Sequence, residues 1–243
     1  MKLINEVKRK REFSQLPDSI VERALLKSGN DVKNARAILR KYFGVFLTNR
    51  ILKKTGEDLL ENHLSSKKRD YEKFYGEIFG DKKFLSVVDI GAGVNGFSMK
   101  FLKEFGIENY YGIEASGQLV KKMNEFFKEK YYDSNYIWLD LFEIDEVKKI
   151  ILGAKSPRVI FLFQIVDALE SFGKNYSKKL MSMILENISE NDKVIITLPI
   201  ESLGGRKKFA VNRKWLVDFL SGNSKIEKDF EMNGERVVVI RKL

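Results

Sequence analysis

Between residues 84 and 241, short apolar runs alternate with amphipathic segments, and this alternation constrains the fold more than any other feature. The apolar runs are rich in Val, Ile, Tyr and Phe, which is typical of buried strands. The predicted strands are 84–90, 109–113, 135–139, 158–163, 193–198, 225–230 and 235–241, and the predicted helices are 97–105, 117–130, 143–152, 176–188 and 212–220. Five strand–helix units followed by a hairpin predict an α/β fold, with a doubly wound parallel sheet and an antiparallel edge.

Residues 1–80 show helical periodicity and no strand-like segment. A Pro-Asp pair at 17–18 and an Asn-Asp pair at 30–31 are typical helix starts, and residues 57–79 are predicted to form one long helix. The sequence therefore predicts a small all-helical domain, 1–80, before an α/β domain, 81–243.

The first predicted strand ends in an acid and two glycines one residue apart, Asp89, Gly91 and Gly93. Glycines remove side chains where a ligand approaches the backbone, and they can adopt positive φ. The N–H groups of the following helix then point at whatever lies in the turn. A D-x-G-x-G turn is the usual form in S-adenosylmethionine (SAM) enzymes, and a plain structural turn is the alternative.

Two further acids stand at the ends of predicted strands. Glu114 follows Gly91 by 23 residues, which suits a carboxylate that accepts both hydroxyls of a ribose. Asp140 ends the next strand and is a candidate acceptor for an adenine amino group. Because ligands of open α/β sheets bind at the carboxyl ends of the strands, the three features together predict SAM as the cofactor, with NAD as the alternative.

Residues 202–208, directly after the fifth predicted strand, read Ser-Leu-Gly-Gly-Arg-Lys-Lys. Two glycines followed by three cations predict a phosphate clamp beside the cofactor, with Arg206 as the bidentate ligand. An ordinary exposed basic turn is the alternative.

Charge is unevenly distributed along the chain. The net charge is +10, and residues 1–80 carry 18 Lys and Arg against 11 Asp and Glu, a net of +7. A basic helical domain beside a catalytic one predicts a nucleic-acid partner, and solvated helix faces are the alternative. The predicted RNA-binding residues are Lys8, Arg9, Lys10, Arg11, Arg36, Arg40, Lys67, Lys68, Arg206, Lys207 and Lys208.

Several classes of site are disfavoured by composition. The absence of cysteine excludes disulfides and thiolate metal sites and fits a reducing compartment. The single histidine, His63, argues against a Ser-His-Asp triad and against a histidine metal site, so no metal is predicted. Without an 18-residue apolar run or a secretory signal, the expectation is a cytoplasmic protein with no membrane partner.

Three segments together resemble the aminoglycoside-resistance 16S ribosomal RNA (guanine-N7) methyltransferases of the Arm/Rmt/Fmr type. Residues 63–69 read His-Leu-Ser-Ser-Lys-Lys-Arg beside that family's H-A-S-T-K-E-R, and residues 89–95 read Asp-Ile-Gly-Ala-Gly-Val-Asn beside D-I-A-C-G-L-N. Residues 202–206 are the family's S-L-G-G-R without change, and residues 10–25 are similar to its basic first helices.

The resemblance implies a class I SAM-dependent methyltransferase domain with a Rossmann-like sheet. It also implies a helical domain that docks on 16S rRNA in the small ribosomal subunit. The chain is expected to act as a monomer. Arg69 would form a charge-assisted pair with the carboxylate of SAM. The full set of residues predicted to bind the cofactor is Arg69, Asp89, Gly91, Gly93, Glu114, Asp140, Leu141 and Gln164.

The implied reaction is methylation of a guanine N7 in the decoding site. Because that nitrogen carries a lone pair and no proton, no general base and no catalytic residue are predicted. The target base would be flipped into a pocket, where Phe97 and Phe209 are candidates to stack on it or are core residues. The alternatives are an RNA methyltransferase for another base or RNA, and a SAM-holding ribosome-binding or assembly factor without turnover.

The sequence departs from the family at three places. Gly96 stands where the family has proline. Residues 164–170 read Gln-Ile-Val-Asp-Ala-Leu-Glu in place of a leucine- and proline-rich turn, and Phe209 and Ala210 replace Gly-Met. The cofactor site is nevertheless expected to be intact, and Phe209 and Ala210 stand where the family is expected to contact the target base.

Overall fold

The structure, a computed structural model, describes residues 1–43, 60, 69–200 and 213–243. Its centre is a seven-stranded sheet of order β3-β2-β1-β4-β5-β7-β6. The strands are β1 (Ser86–Ile90), β2 (Asn109–Glu114), β3 (Asn135–Trp138), β4 (Arg158–Phe163), β5 (Lys193–Pro199), β6 (Lys225–Met232) and β7 (Glu235–Arg241). Strands β1–β5 are parallel, whereas β7 runs antiparallel to β5 and to β6. The predicted α/β fold with an antiparallel C-terminal hairpin is confirmed.

Helices cover both faces of the sheet. They are α1 (Lys2–Lys8), α2 (Asp18–Lys27), α3 (Val32–Tyr42), α4 (Tyr71–Phe79), α5 (Met99–Lys103), α6 (Gly117–Glu129), α7 (Ile144–Gly153), α8 (Val166–Phe172), α9 (Tyr176–Asn187) and α10 (Lys214–Asn223), with 3-10 turns at Arg11–Phe13 and Asn95–Ser98. Successive residues of a strand face opposite sides, so Val87 packs with α4, α5 and α6 while Val88 packs with α7 to α10. No helix in the described ranges combines the length and the apolar character that crossing a membrane requires.

Helix α4 begins later than predicted. Residues 69 and 70 are not helical, and the Asp70 side chain caps the helix by accepting from the Lys73 N–H at 3.2 Å. The single helix predicted for residues 57–79 is therefore wrong at this point. Phe74 and Tyr75 pack in the same core as the sheet, so α4 belongs to the sheet's core, although the division at residue 80 counted it with the N-terminal helices.

The sequence predicts no helix at residues 164–170, whereas the structure forms helix α8 from Val166. Gln164 adopts a left-handed conformation, φ 55°, and the helix starts two residues later. Val166 and Leu169 are buried at helical spacing against the sheet. The i, i+3 spacing of these two apolar residues is the sequence signal that was missed.

Helices α1 to α3 form an N-terminal helical unit, residues 1–43, with a core of its own. Phe13, Leu16, Val21 and Leu39 are among its buried side chains. That core also contains Ala115, which directly follows β2, so the unit packs on the carboxyl edge of the sheet.

Candidate cofactor site and nucleic-acid interface

The glycine turn after β1 is tightly built. Gly91 and Gly93 have φ of 76° and 51°, in the left-handed region that favours glycine. The N–H groups of Gly91 and Ala92 donate to the Ile113 carbonyl of β2 at 3.0 Å. A Cβ on Gly91 would lie 2.8 Å from Cδ1 of Ile165, so a larger residue here would displace that side chain and adopt a strained φ.

Glu114 lies across this turn, as its position at the end of β2 predicts. Its Oε2 accepts from the Gly93 N–H at 3.0 Å and its Oε1 from the Ser116 N–H at 2.8 Å. Burial raises the pKa of the carboxyl, and the two backbone donors partly offset that rise. The donors fix the orientation of the carboxylate, and its role toward a ribose stays a prediction.

Asp89 is buried within a polar network. Its Oδ2 accepts from the Tyr110 hydroxyl and, at 2.8 Å, from Nδ2 of Asn95. Its Oδ1 is buried and has no partner among the described residues. Burial raises the pKa of Asp89 to about 6, although the two hydrogen bonds and Arg69 act in the opposite direction. One oxygen of this carboxylate thus remains able to accept from a ligand.

Tyr136 determines which residue fits at position 96, directly after Asn95. The Gly96 N–H donates to the Tyr136 hydroxyl at 3.0 Å, and a Cβ at position 96 would lie 2.8 Å from the ring. Proline at this position would lack the N–H donor, and its ring would clash with Tyr136. This accounts for glycine where the family has proline. Gly96 also completes the spacing G-x-G-x-x-G with Gly91 and Gly93, so the glycines alone do not decide between SAM and a dinucleotide.

Phe97 belongs to the core. It is fully buried and packs edge-on against Phe126, with ring centroids 4.7 Å apart. The alternative that Phe97 stacks on a target base is therefore wrong. Phe209 and Ala210 lie outside the described residues.

Arg69 and Gln164, both predicted to bind the cofactor, converge on a residue that the sequence analysis missed. Nη2 of Arg69 donates to both carboxylate oxygens of Glu235, at 2.9 and 2.8 Å, and Nε2 of Gln164 donates to Oε1 of the same residue. Glu235 begins β7, opposite Pro199 of β5. The hairpin brings it to the carboxyl edge of β5, and nothing local in the sequence marks it as buried.

Asp140 is not the free acceptor that its position at the end of a strand predicts. Its Oδ2 accepts from the Ser19 hydroxyl at 2.5 Å and from Nη2 of Arg23, while its Oδ1 accepts from the Phe142 N–H at 3.0 Å. The Arg23 guanidinium also lies 4.2 Å from the centroid of the Phe142 ring. Both oxygens are thus engaged, one of them by helix α2. The neighbouring Leu141 is buried in the core on the side of α7 to α10, and its contact with a cofactor stays a prediction.

The N-terminal helical unit makes similar contacts beside the other strands. The Gly117 N–H, at the start of α6, donates to the Gln15 carbonyl at 3.0 Å. Nζ of Lys27 donates to the Ser171 hydroxyl at 2.9 Å, and the Tyr42 and Phe172 rings lie 5.4 Å apart. The unit therefore contacts the segments that follow β2, β3 and β4, and these contacts were not foreseen.

The predicted RNA-binding cations fall into two groups within the N-terminal helical unit. Lys8 pairs with Asp18 at 2.5 Å, Arg40 pairs with Glu12 at 3.1 Å, and Arg36 donates to a backbone carbonyl.

The remaining cations of the unit are consecutive. Arg9, Lys10 and Arg11 are exposed, and no ion pair joins them to a described residue. They form an exposed cationic cluster, residues 9–11. Lys67, Lys68, Arg206, Lys207 and Lys208 lie outside the described residues.

Solved structures that match this chain include three ribosomal RNA methylases. An rRNA methylase from Escherichia coli has a TM-score of 0.71 and 18% identity, with 100% of this chain and 99% of that chain covered. The 16S rRNA methylase RmtB has a TM-score of 0.70 and 19% identity, with 100% and 98% covered. The 16S rRNA methyltransferase RmtF, in complex with S-adenosyl-L-homocysteine, has a TM-score of 0.71 and 17% identity, with 100% and 97% covered.

The fold is that of the class I SAM-dependent methyltransferases. Comparison with protein-family models and with curated proteins gave no match.

Proposed function

We propose that the chain is a SAM-dependent 16S rRNA methyltransferase of the aminoglycoside-resistance family. We propose further that it modifies a guanine N7 in the decoding site of the small ribosomal subunit. The observation that carries the proposal is the full-length similarity to 16S rRNA methylases, which spans the helical N-terminal part as well as the sheet. The S-L-G-G-R segment at 202–206 supports the same assignment.

The cofactor proposal is supported by groups left without partners at the carboxyl edge of the sheet. Oδ1 of Asp89 and Nε of Arg69 are buried and have no partner among the described residues. We assign Asp89 to the amino group of SAM, Arg69 to its carboxylate and Glu114 to its ribose. SAM would supply a methyl group on a positively charged sulfur.

The adenine end is assigned to Asp140 and Leu141, with the N-terminal helical unit behind them. Because Arg23 and Ser19 already hold Asp140, its carboxylate is oriented before any ligand arrives. Gln164 is assigned to the amino-acid end, since it shares Glu235 with Arg69.

The RNA would dock on the exposed cationic cluster, residues 9–11. Their charges have no partner among the described residues, so they are free to neutralise phosphates and release counterions. We propose that Lys67, Lys68 and the segment 206–208 add phosphate contacts, with Arg206 as the bidentate ligand. We propose, finally, that the chain is a cytoplasmic monomer and acts on the assembled small subunit.

The chain's task in this reaction is placement rather than proton transfer. Guanine N7 is nucleophilic without deprotonation, so the protein must orient two reactants and exclude water. The polar groups beside the glycine turn, Asp89 and Glu114, are already held by donors of the protein.

The test is transfer of labelled methyl groups from SAM to purified small ribosomal subunits, with transfer RNA and no RNA as controls. We expect incorporation only with small subunits, and a strand break in the decoding site after borohydride and aniline treatment. Methylation of transfer RNA alone would overturn the ribosomal assignment, and a methylated adenine would overturn the guanine assignment. SAM binding without incorporation in any arm would indicate an assembly factor.

A further inference from the structure

The guanidinium of Arg69 is held in one orientation by a carboxylate and by aromatic rings. Arg69 is 9% exposed, and its Nη2 donates to both oxygens of Glu235, which is 4% exposed. The guanidinium carbon lies 4.7 Å from the centroid of the Phe74 ring and 4.8 Å from that of Phe163. Rotation of this side chain would break the ion pair and leave two buried charges without their oppositely charged partners.

The ion pair with Glu235 uses Nη2 of the Arg69 guanidinium. Nε is buried and donates to no described residue, although a buried donor without an acceptor is costly. Oδ1 of Asp89 is also unpartnered, and Asp89 stands in β1 beside β4, whose last residue, Phe163, contacts the guanidinium. An unused cationic donor and an unused carboxylate oxygen at the ends of neighbouring strands are complementary to a ligand that carries one carboxylate and one ammonium group.

The position of Glu235 follows from the hairpin. It is the first residue of β7 and stands opposite Pro199 at the end of β5, while Gln164 arrives from the end of β4 and donates to its Oε1. Arg69 and Gln164 thus both donate to this carboxylate, while backbone pairing with β5 fixes the residue that carries it.

We infer that Glu235 is a positioning residue for the amino-acid end of SAM: it holds Arg69 through Nη2 and leaves the Nε edge to receive the ligand's carboxylate. This inference rests on the proposed function. In the opposite role, Glu235 would compete with the ligand's carboxylate for Arg69, and the ligand would have to displace it. The two roles predict opposite signs when the charge of Glu235 is removed.

The experiment measures binding by calorimetry, with two ligands and the full chain. S-adenosylhomocysteine contains the amino-acid end, whereas 5′-methylthioadenosine keeps the adenine and the ribose without it. We expect Glu235→Gln to weaken S-adenosylhomocysteine by about 10- to 100-fold, because a charge-assisted contact loses its orientation. The affinity for 5′-methylthioadenosine should change less than about twofold.

The matched control is Asp229→Asn. It removes an exposed ion pair with Arg236 from the same hairpin, at 2.6 Å, and should leave both affinities unchanged. In an Arg69→Gln background, Glu235→Gln should have no further effect on S-adenosylhomocysteine, since the residue acts through Arg69.

Two results would overturn the inference. Tighter binding of S-adenosylhomocysteine by Glu235→Gln would make the residue a competitor, and equal losses for both ligands would make its role generally structural. If Glu235→Gln does not fold, Glu235→Asp, which keeps the charge and shortens the reach, is scored by the same ratio of the two affinities. Failure of the unaltered protein to bind either ligand would instead contradict the proposed function.

Discussion

Arg23 of helix α2 and Asp140 at the end of β3 form an ion pair that joins the N-terminal helical unit to the candidate cofactor site. The two residues are separated by 117 positions in the chain. Asp140 is 1% exposed, so its carboxylate depends on this partner, on Ser19 and on one backbone N–H for its hydrogen bonds. Cofactor binding is therefore expected to involve the N-terminal unit and not residues 81–243 alone.

Replacing Arg23 by alanine tests this connection. The change leaves a buried carboxylate short of a charged donor, so the free energy of unfolding should fall by about 1–3 kcal/mol. The affinity for S-adenosylhomocysteine should fall as well, measured by calorimetry. Lys155→Ala is the control, because its exposed partner Glu108 lies 3.9 Å away and its loss should leave both quantities unchanged. Unaltered affinity of Arg23→Ala for S-adenosylhomocysteine would show that the helical unit does not contribute to cofactor binding.

The raised pKa of Asp89 predicts a pH-dependent contribution to stability. Burial raises its pKa from 3.8 to about 6, so ionisation costs more in the folded than in the unfolded protein. The stability that the protonated carboxyl contributes is therefore complete below about pH 4 and is lost as the pH rises through 6, to a total of at most about 3 kcal/mol.

Asp89→Asn has no such titration and serves as the reference. The free energy of unfolding of the unaltered protein, minus that of Asp89→Asn, should fall between pH 4 and 6.5 in urea denaturation. A difference that stays constant over that range would show that Asp89 titrates normally.

Gly96→Ala should destabilise the protein by about 1–3 kcal/mol, since the new Cβ would meet the Tyr136 ring at 2.8 Å. Combining it with Tyr136→Val, which removes the ring, should recover part of the loss in thermal denaturation. Gly76→Ala is the control: it lies within α4 with nothing near its Cβ position, and helix propensity should make it neutral or stabilising. Strictly additive effects of the two changes would argue against the contact.

Neutralising the exposed cationic cluster, Arg9, Lys10 and Arg11, with glutamine should weaken binding to small ribosomal subunits. Each lost phosphate contact should flatten the log–log dependence of affinity on salt by about 0.7–0.9. Lys128→Gln with Lys130→Gln is the control, because these exposed residues lie at the end of α6, away from the carboxyl edge where that helix begins. If the triple variant keeps the salt dependence of the unaltered protein, the RNA interface lies elsewhere.

Sequence could predict the parts of this molecule that local patterns encode. Apolar runs that end in an acid predict strands, and parallel strands bring their carboxyl ends to one edge of the sheet. This placed Glu114 beside the glycine turn, where the structure has it. The partners of Asp140 and Arg69 could not be predicted, since Ser19 and Glu235 reach them across 121 and 166 residues. Such pairs are set by how helices and hairpins dock, which no periodicity within either segment records.

The contact between Gly96 and Tyr136 makes the residues at these two positions depend on each other. The family that the chain resembles has proline at the position of Gly96, and proline beside this tyrosine would combine a clash with a lost donor. A proline at 96 would therefore require a smaller side chain at 136. The two positions cannot be exchanged independently between this chain and the family that it resembles.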